Sequence, residues 1–202
     1  MNTEKKLSTQ KLCFIGLFGA LSAVLMLFDI PLFFAPSFMK LDLAELPAIL
    51  GGFMFGSLAG ECIIIVKILL NLLLTGTSTM YVGELSNLIL SSIYVLTASL
   101  IYQHHKTRKQ AAVSLVIAVA AVSVVALITN TLFIFPAYAV IYGMSMETIV
   151  SMAAAVNPLV HNTMTMMLFS VFPFNIVKYS AVSIITFVVY KKLHVAINKI
   201  IR

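Results

Sequence analysis

Five apolar runs set what this chain can become: 12–28, 46–75, 81–102, 111–135 and 172–190. Each reaches or approaches the roughly 20 residues that a helix needs to cross a hydrocarbon core. Inside that core no water satisfies the backbone, so a spanning segment with this pattern has to be helical. The rest of the sequence supports the same class. Hydrophobic residues make up 61% of the 202 and charged residues 10%, which leaves no stretch for a separate soluble catalytic domain. The expected fold is therefore an all-α integral membrane protein, with 1–202 forming a single transmembrane domain. The first run follows Lys5, Lys6 and Lys11 but lacks a small-x-small cleavage site, so it reads as an uncleaved span and not as a signal peptide.

The run 46–75 is too long for one upright span and is interrupted by Gly51, Gly52, Gly56, Ser57 and Gly60. Charge decides how to read it. Ten of the 13 Lys and Arg residues fall in three groups: Lys5, Lys6 and Lys11; Lys106, Arg108 and Lys109; Lys191, Lys192, Lys199 and Arg202. A hairpin of two short helices turning near 57–61 places all three groups on one side, as the positive-inside rule requires. This predicts a six-transmembrane-helix bundle with both termini cytoplasmic. The outside loops are then 29–45, 75–81 and 136–171. A methionine-rich part of the last, 147–170, is expected to form one or two short helices over the bundle.

Polar residues inside such spans are costly and usually line a cavity or meet a partner. Glu84 and Asn87 lie three residues apart near the outer end of one span, and Asn175 and Lys178 repeat that spacing in another, so each pair shares a helix face. Asn130 falls at a similar depth in a third span. Both charge signs and three carboxamides at one level suit a neutral, hydrogen-bonding solute; hydrogen bonding between helices is the competing reading. Glu61 reads as solvated near an inner turn, and Lys67 as snorkelling or paired within the bundle. Gly16, Gly19, Ala20 and Ala23 form two small-xxx-small pairs on the first helix, suited to close helix approach, either within the bundle or against another protein. The segment Phe38-Met39-Lys40-Leu41-Asp42-Leu43 alternates apolar and charged residues before Pro47, as a lid or a connector. The chain has no GxxxxGK[ST], HExxH or CxxC pattern, and its Ser, His and acidic residues form no recognisable nucleophile set.

Several of these segments together resemble one family: Phe38-Met39-Lys40-Leu41-Asp42-Leu43, Leu46-Pro47-Ala48, Val66-Lys67 with Asn71, Gly76-Thr77-Ser78-Thr79, Val82-Gly83-Glu84 with Asn87, Asn130 with Phe135-Pro136-Ala137-Tyr138, and Phe172-Pro173-Phe174-Asn175 with Lys178. The chain is similar to the substrate-binding S components of energy-coupling factor (ECF) vitamin transporters, most nearly the riboflavin-specific ones. It departs from their pattern at Ser86 and Ile68. The resemblance implies a non-enzymatic subunit in a bacterial cell membrane, with riboflavin as transported ligand and no cofactor. Glu84, Asn87, Asn130, Asn175 and Lys178 would contact the ligand, and Phe38, Lys40, Leu41 and Asp42 would belong to the lid. Gly16, Gly19, Ala20 and Ala23 would dock a transmembrane T component that couples to two ATPase subunits. Other expectations remain open at this point: the same scaffold with another vitamin, or a self-sufficient proton-coupled carrier using Glu84 and Lys178 as a relay.

Overall fold

The computed structural model describes residues 9–36, 39–77 and 79–201, with side chains through Tyr190. Lys5, Lys6 and Phe38, and the side chains of the C-terminal basic group, lie outside the described residues. Five helices among those described are long and apolar enough to cross a membrane: Thr9–Met26, Ser57–Thr75, Val82–His104, Arg108–Tyr142 and Thr163–Tyr190. Their outward faces carry large apolar side chains such as Leu17, Leu73, Val116 and Ile184, all well exposed. In water such a surface would aggregate; in lipid it is the expected contact face.

Helix α1 (Thr9–Met26) leads into a two-stranded antiparallel ribbon, β1 (Ile30–Pro31) with β2 (Lys40–Leu41), in which Ile30 pairs with Leu41 and Pro31 with Lys40. Helices α2 (Glu45–Phe55) and α3 (Ser57–Thr75) follow, then α4 (Val82–His104) and α5 (Arg108–Thr129). A π-helical turn, Asn130–Ile134, joins α5 to α6 (Phe135–Tyr142) without a break. The short α7 (Met146–Ala154) comes next. Helix α8 (Thr163–Met166) then passes through a second π turn, Met167–Val171, into α9 (Phe172–Ile201).

The predicted hairpin forms, but the turn is at Gly56, just before the expected 57–61, and the arms are unequal. Gly56 has φ 108°, a conformation open to glycine at little cost. The 11 residues of α2 reach only about 16 Å, so the hairpin is one short helix against one of full length, and not two short ones. Close packing between the arms depends on absent side chains. A Cβ on Gly60 would stand 3.1 Å from Gly52 Cα and 3.2 Å from the Ala48 carbonyl. The main core lies where α1 to α5 and α9 meet, around Ile49, Phe53, Ile63, Tyr94, Val122 and Tyr179.

The stretch 136–171 holds more helix than its reading as an outside loop implied. Helix α6 carries the span begun by α5 on to Tyr142, and the last long span starts at Thr163. Only α7 is a separate short helix. The two π turns share a cause: each precedes a Phe-Pro dipeptide, Phe135-Pro136 and Phe172-Pro173. A proline ring clashes with the carbonyl four residues earlier and offers it no N–H, and a widened turn relieves both conflicts. At Pro173 the freed carbonyl belongs to Phe169, and Asn157 Nδ2 donates to it at 2.8 Å. Asn157 and Ser170 Oγ also reach the Phe34 carbonyl, at 3.3 and 3.0 Å. One asparagine thereby ties the segment after β1 and the segment after α7 to the last span. A second apolar cluster, with Val82, Ile134, Phe135, Ile149, Met166 and Val171, packs this outer end.

Candidate functional site

The loop after β2 enters α2 through Asp42, whose Oδ1 accepts from the Ala44 N–H at 2.8 Å. This turn brings two carboxylates, Asp42 and Glu45, to the start of α2, where the helix dipole favours them. Two lysines from distant spans neutralise the pair. Lys178 Nζ lies 3.0 Å from Asp42 Oδ2 and 3.5 Å from Glu45 Oε1. Lys67 Nζ lies 3.2 Å from Glu45 Oε1. All four residues are buried, Glu45 and Lys67 completely. The three N–H groups of Lys67 meet three acceptors: Glu45 Oε1, Asn87 Oδ1 at 2.7 Å and Ser91 Oγ at 3.1 Å. The cluster is neutral overall and links α2, α3, α4 and α9 to the loop leaving the ribbon.

Beside this cluster open two adjoining cavities, of about 790 and 120 Å³. Lys40, Gly83, Asn87 and Tyr138 line both. The larger is bounded by polar groups of Asn71, Thr75, Thr79 and Glu84, and by apolar ones of Met26, Leu27, Tyr142, Met144, Ile149 and Met152. Glu84 Oε2 accepts from Thr79 Oγ1 at 2.7 Å. Tyr138 and Tyr142 stack with ring centroids 5.8 Å apart. The smaller chamber lies between Asn130 and Asn175, walled by Leu90, Ile134, Phe135, Phe174 and Tyr179, with Lys178 at its edge. An apolar volume of this size with a few convergent polar groups suits a ligand of drug-like dimensions.

The residues expected from sequence are gathered here, but not as one set. Asn87, Asn130, Asn175 and Lys178 line the inner chamber; Glu84 faces the outer one; Asn87 joins the two. Lys178, expected to donate to the ligand, donates to Asp42. Asp42, expected in a lid, is an anchor holding the loop to α9. Lys40 does stand at the mouth, bridged to Asp29 Oδ2 at 2.9 Å across the ribbon. Leu41 is the neighbouring strand residue, half-buried. Glu84 and Lys178 lie in different chambers, and each has a local partner, an arrangement unlike a proton relay. Glu61 is not simply solvated: its Oε1 accepts from Ser92 Oγ on α4 at 2.6 Å.

Helix α1 divides the four small residues. Gly19 and Ala23 are buried, and a Cβ on Gly19 would come within 2.7 Å of Val66 Cβ on α3. These two serve packing within the bundle. Gly16 and Ala20 point outward, and a Cβ on Gly16 would meet nothing within 4 Å. Reasoning from sequence missed several lining residues as candidates, among them Asn71, Thr75, Thr79 and Tyr138. Asn71, Thr79 and Tyr138 fall within the segments that carried the family resemblance; Thr75 has no signal beyond its place at a helix end.

Fold and site together define a membrane-embedded helical protein with a half-open pocket lined by polar and apolar groups. Residues 10–190 match the family described as ECF transporter, substrate-specific component, and the chain belongs to that family. Its members bind a substrate for transport and are not enzymes. The chain is 29% identical over 196 residues to the riboflavin transporter RibU of Staphylococcus aureus (strain TCH60), covering 96% of each. It is 29% identical over 133 residues to the riboflavin transporter FmnP of Bacillus subtilis (strain 168), covering 65% of this chain and 70% of that one. Among solved structures, the S component of a bacterial ECF transporter superposes with a TM-score of 0.71 at 28% identity, covering 91% of this chain and 95% of the other.

Proposed function

We propose that this chain is the riboflavin-binding S component of an ATP-driven ECF uptake transporter in a bacterial plasma membrane. End-to-end similarity to a riboflavin transporter carries the reading. The chemistry of the pocket agrees with it. Riboflavin is uncharged and combines a flat tricyclic ring with a polyol tail. The ring's pyrimidine edge, where an N–H stands between two carbonyls, needs both acceptors and donors, which the three asparagines of the inner chamber supply. Phe174, Tyr179 and Phe135 offer surfaces for the ring. The outer chamber, with Glu84, Thr79, Thr75 and Asn71, suits the polyol, because a carboxylate accepts strongly from hydroxyls.

The six-span topology with both termini cytoplasmic belongs to this proposal, with α2 counted as a crossing and α7 not. It puts the ribbon, the 76–81 connection and α7 on the outside, where riboflavin is captured. Gly16 and Ala20 then form part of the face that meets the transmembrane T component, to which two ATPase subunits couple. Purification of the chain from riboflavin-fed cells tests the reading. It predicts a yellow protein with flavin absorbance; a colourless protein that also fails to quench added riboflavin fluorescence contradicts it.

A further inference from the structure

Of the three asparagines of the inner chamber, only Asn87 has no choice over which end of its amide it presents. Asn130 Nδ2 donates to the Ala126 carbonyl at 2.8 Å, and Asn175 Nδ2 to the Val171 carbonyl at 2.8 Å, each one turn back in its own helix. Each keeps its oxygen and a second N–H, so either position can offer an acceptor or a donor. At Asn87 the amide oxygen is the occupied end. Its Oδ1 accepts from Lys67 Nζ at 2.7 Å, and Ser91 Oγ lies 3.1 Å away. The end left to the chamber is Nδ2, a donor. Lys67 cannot release this oxygen by turning aside: it is fully buried, and its other two N–H groups are held by Glu45 and Ser91.

We infer that Lys67 is a positioning residue for ligand recognition, fixing Asn87 as a hydrogen-bond donor beside the adaptable amides of Asn130 and Asn175. The inference rests on the proposal that the chamber holds a flavin ring. An amide free to flip tolerates either polarity in its ligand. A preset donor at Asn87 selects a ring edge that places a carbonyl there, with Asn130 and Asn175 free to serve the adjoining N–H and second carbonyl, and leaves an edge with an N–H at that place with unpaired buried groups. Lys67 thus serves specificity without touching the ligand.

The test is Asn87→Asp, with riboflavin as the probe. A carboxylate keeps both acceptor contacts, to Lys67 and Ser91, so the bundle retains its support. It turns no N–H toward the chamber. Expected are a melting temperature no lower than wild type, riboflavin affinity reduced about tenfold or more, and a changed visible absorbance of whatever flavin is bound, since a ring acceptor has lost its donor. A companion variant, Glu45→Gln with Lys67→Gln, removes the charge pair and unlocks the Asn87 amide. It should also lose affinity; if it does not fold, Asn87→Asp decides alone. The inference is overturned if Asn87→Asp binds within threefold of wild type, if stability and affinity fall together so that Asn87 is a strut, or if the double variant folds and binds normally. Wild-type protein that fails to bind riboflavin would instead sink the functional proposal and leave the amide geometry as it stands.

Discussion

Replacing Lys178 with methionine keeps most of its volume and removes its charge. Two contacts disappear, at 3.0 Å to Asp42 and 3.5 Å to Glu45. At an effective dielectric of about 20, each represents an attraction of roughly 5 kcal/mol before desolvation is counted. Desolvation of the lysine offsets part of this, so the net loss is better taken from measured cases in which one partner of a buried pair is removed, about 3–5 kcal/mol. The cost arises mainly at Asp42, which is left as a buried carboxylate with only the Ala44 N–H as a donor among the described residues. For a chain of this size, a shift of about 2–4 °C in Tm per kcal/mol makes the expected fall roughly 6–20 °C. Melting the purified protein in detergent, followed by intrinsic fluorescence or light scattering, measures it. Asp42→Leu in the same background should recover part of the loss, because it removes the orphaned charge. The double variant should then be more stable than the sum of the single changes predicts by at least about 1 kcal/mol. Additive single changes, or a Lys178→Met protein that melts with wild type, would show that the cluster does not hold the loop to α9.

Three further outcomes follow from the same geometry. Gly19→Leu should destabilise the isolated protein by about 1–3 kcal/mol through collision with Val66, whereas Ala20→Leu should leave its melting unchanged and reduce co-purification with the T component. Asn157→Ala leaves the Phe169 carbonyl without its donor and should cost about 1–3 kcal/mol, with faster proteolysis of the segment after β1 as a second readout. Glu84→Ala should weaken riboflavin binding about tenfold or more while sparing a ligand that lacks the polyol tail, which competition titration would show.

The parts of this structure legible in the sequence are those governed by local rules. Hydropathy gave the five long helices, and the distribution of Lys and Arg led to a hairpin that the apolar run 46–75 conceals. Spacing within single helices paired Glu84 with Asn87 and Asn175 with Lys178. What spacing could not give is the company each group keeps across the bundle. Asp42 and Lys178 are 136 residues apart, and nothing local to either names the other. Lys67 read as snorkelling or paired within the bundle; it is paired, and its three acceptors come from α2 and α4, which nothing local to it names. The small-residue stripe divides for a geometric reason. About 60° of helix separates Gly16 from Gly19, and the boundary between packed and outward faces runs between them. The π turns are readable afterwards from the two Phe-Pro dipeptides, but a proline by itself does not say whether a helix kinks, stops or widens.

The central claim is that the joined cavities hold riboflavin, with the ring edge met by Asn87 as a donor of fixed polarity. Titration of riboflavin into ligand-free wild-type and Asn87→Asp protein, followed by flavin fluorescence, tests it most directly. The account predicts saturable quenching at a single site in wild type, and the same stoichiometry at about tenfold or weaker affinity in the variant. Quenching that does not saturate in wild type, or equal affinities in the two proteins, would contradict it.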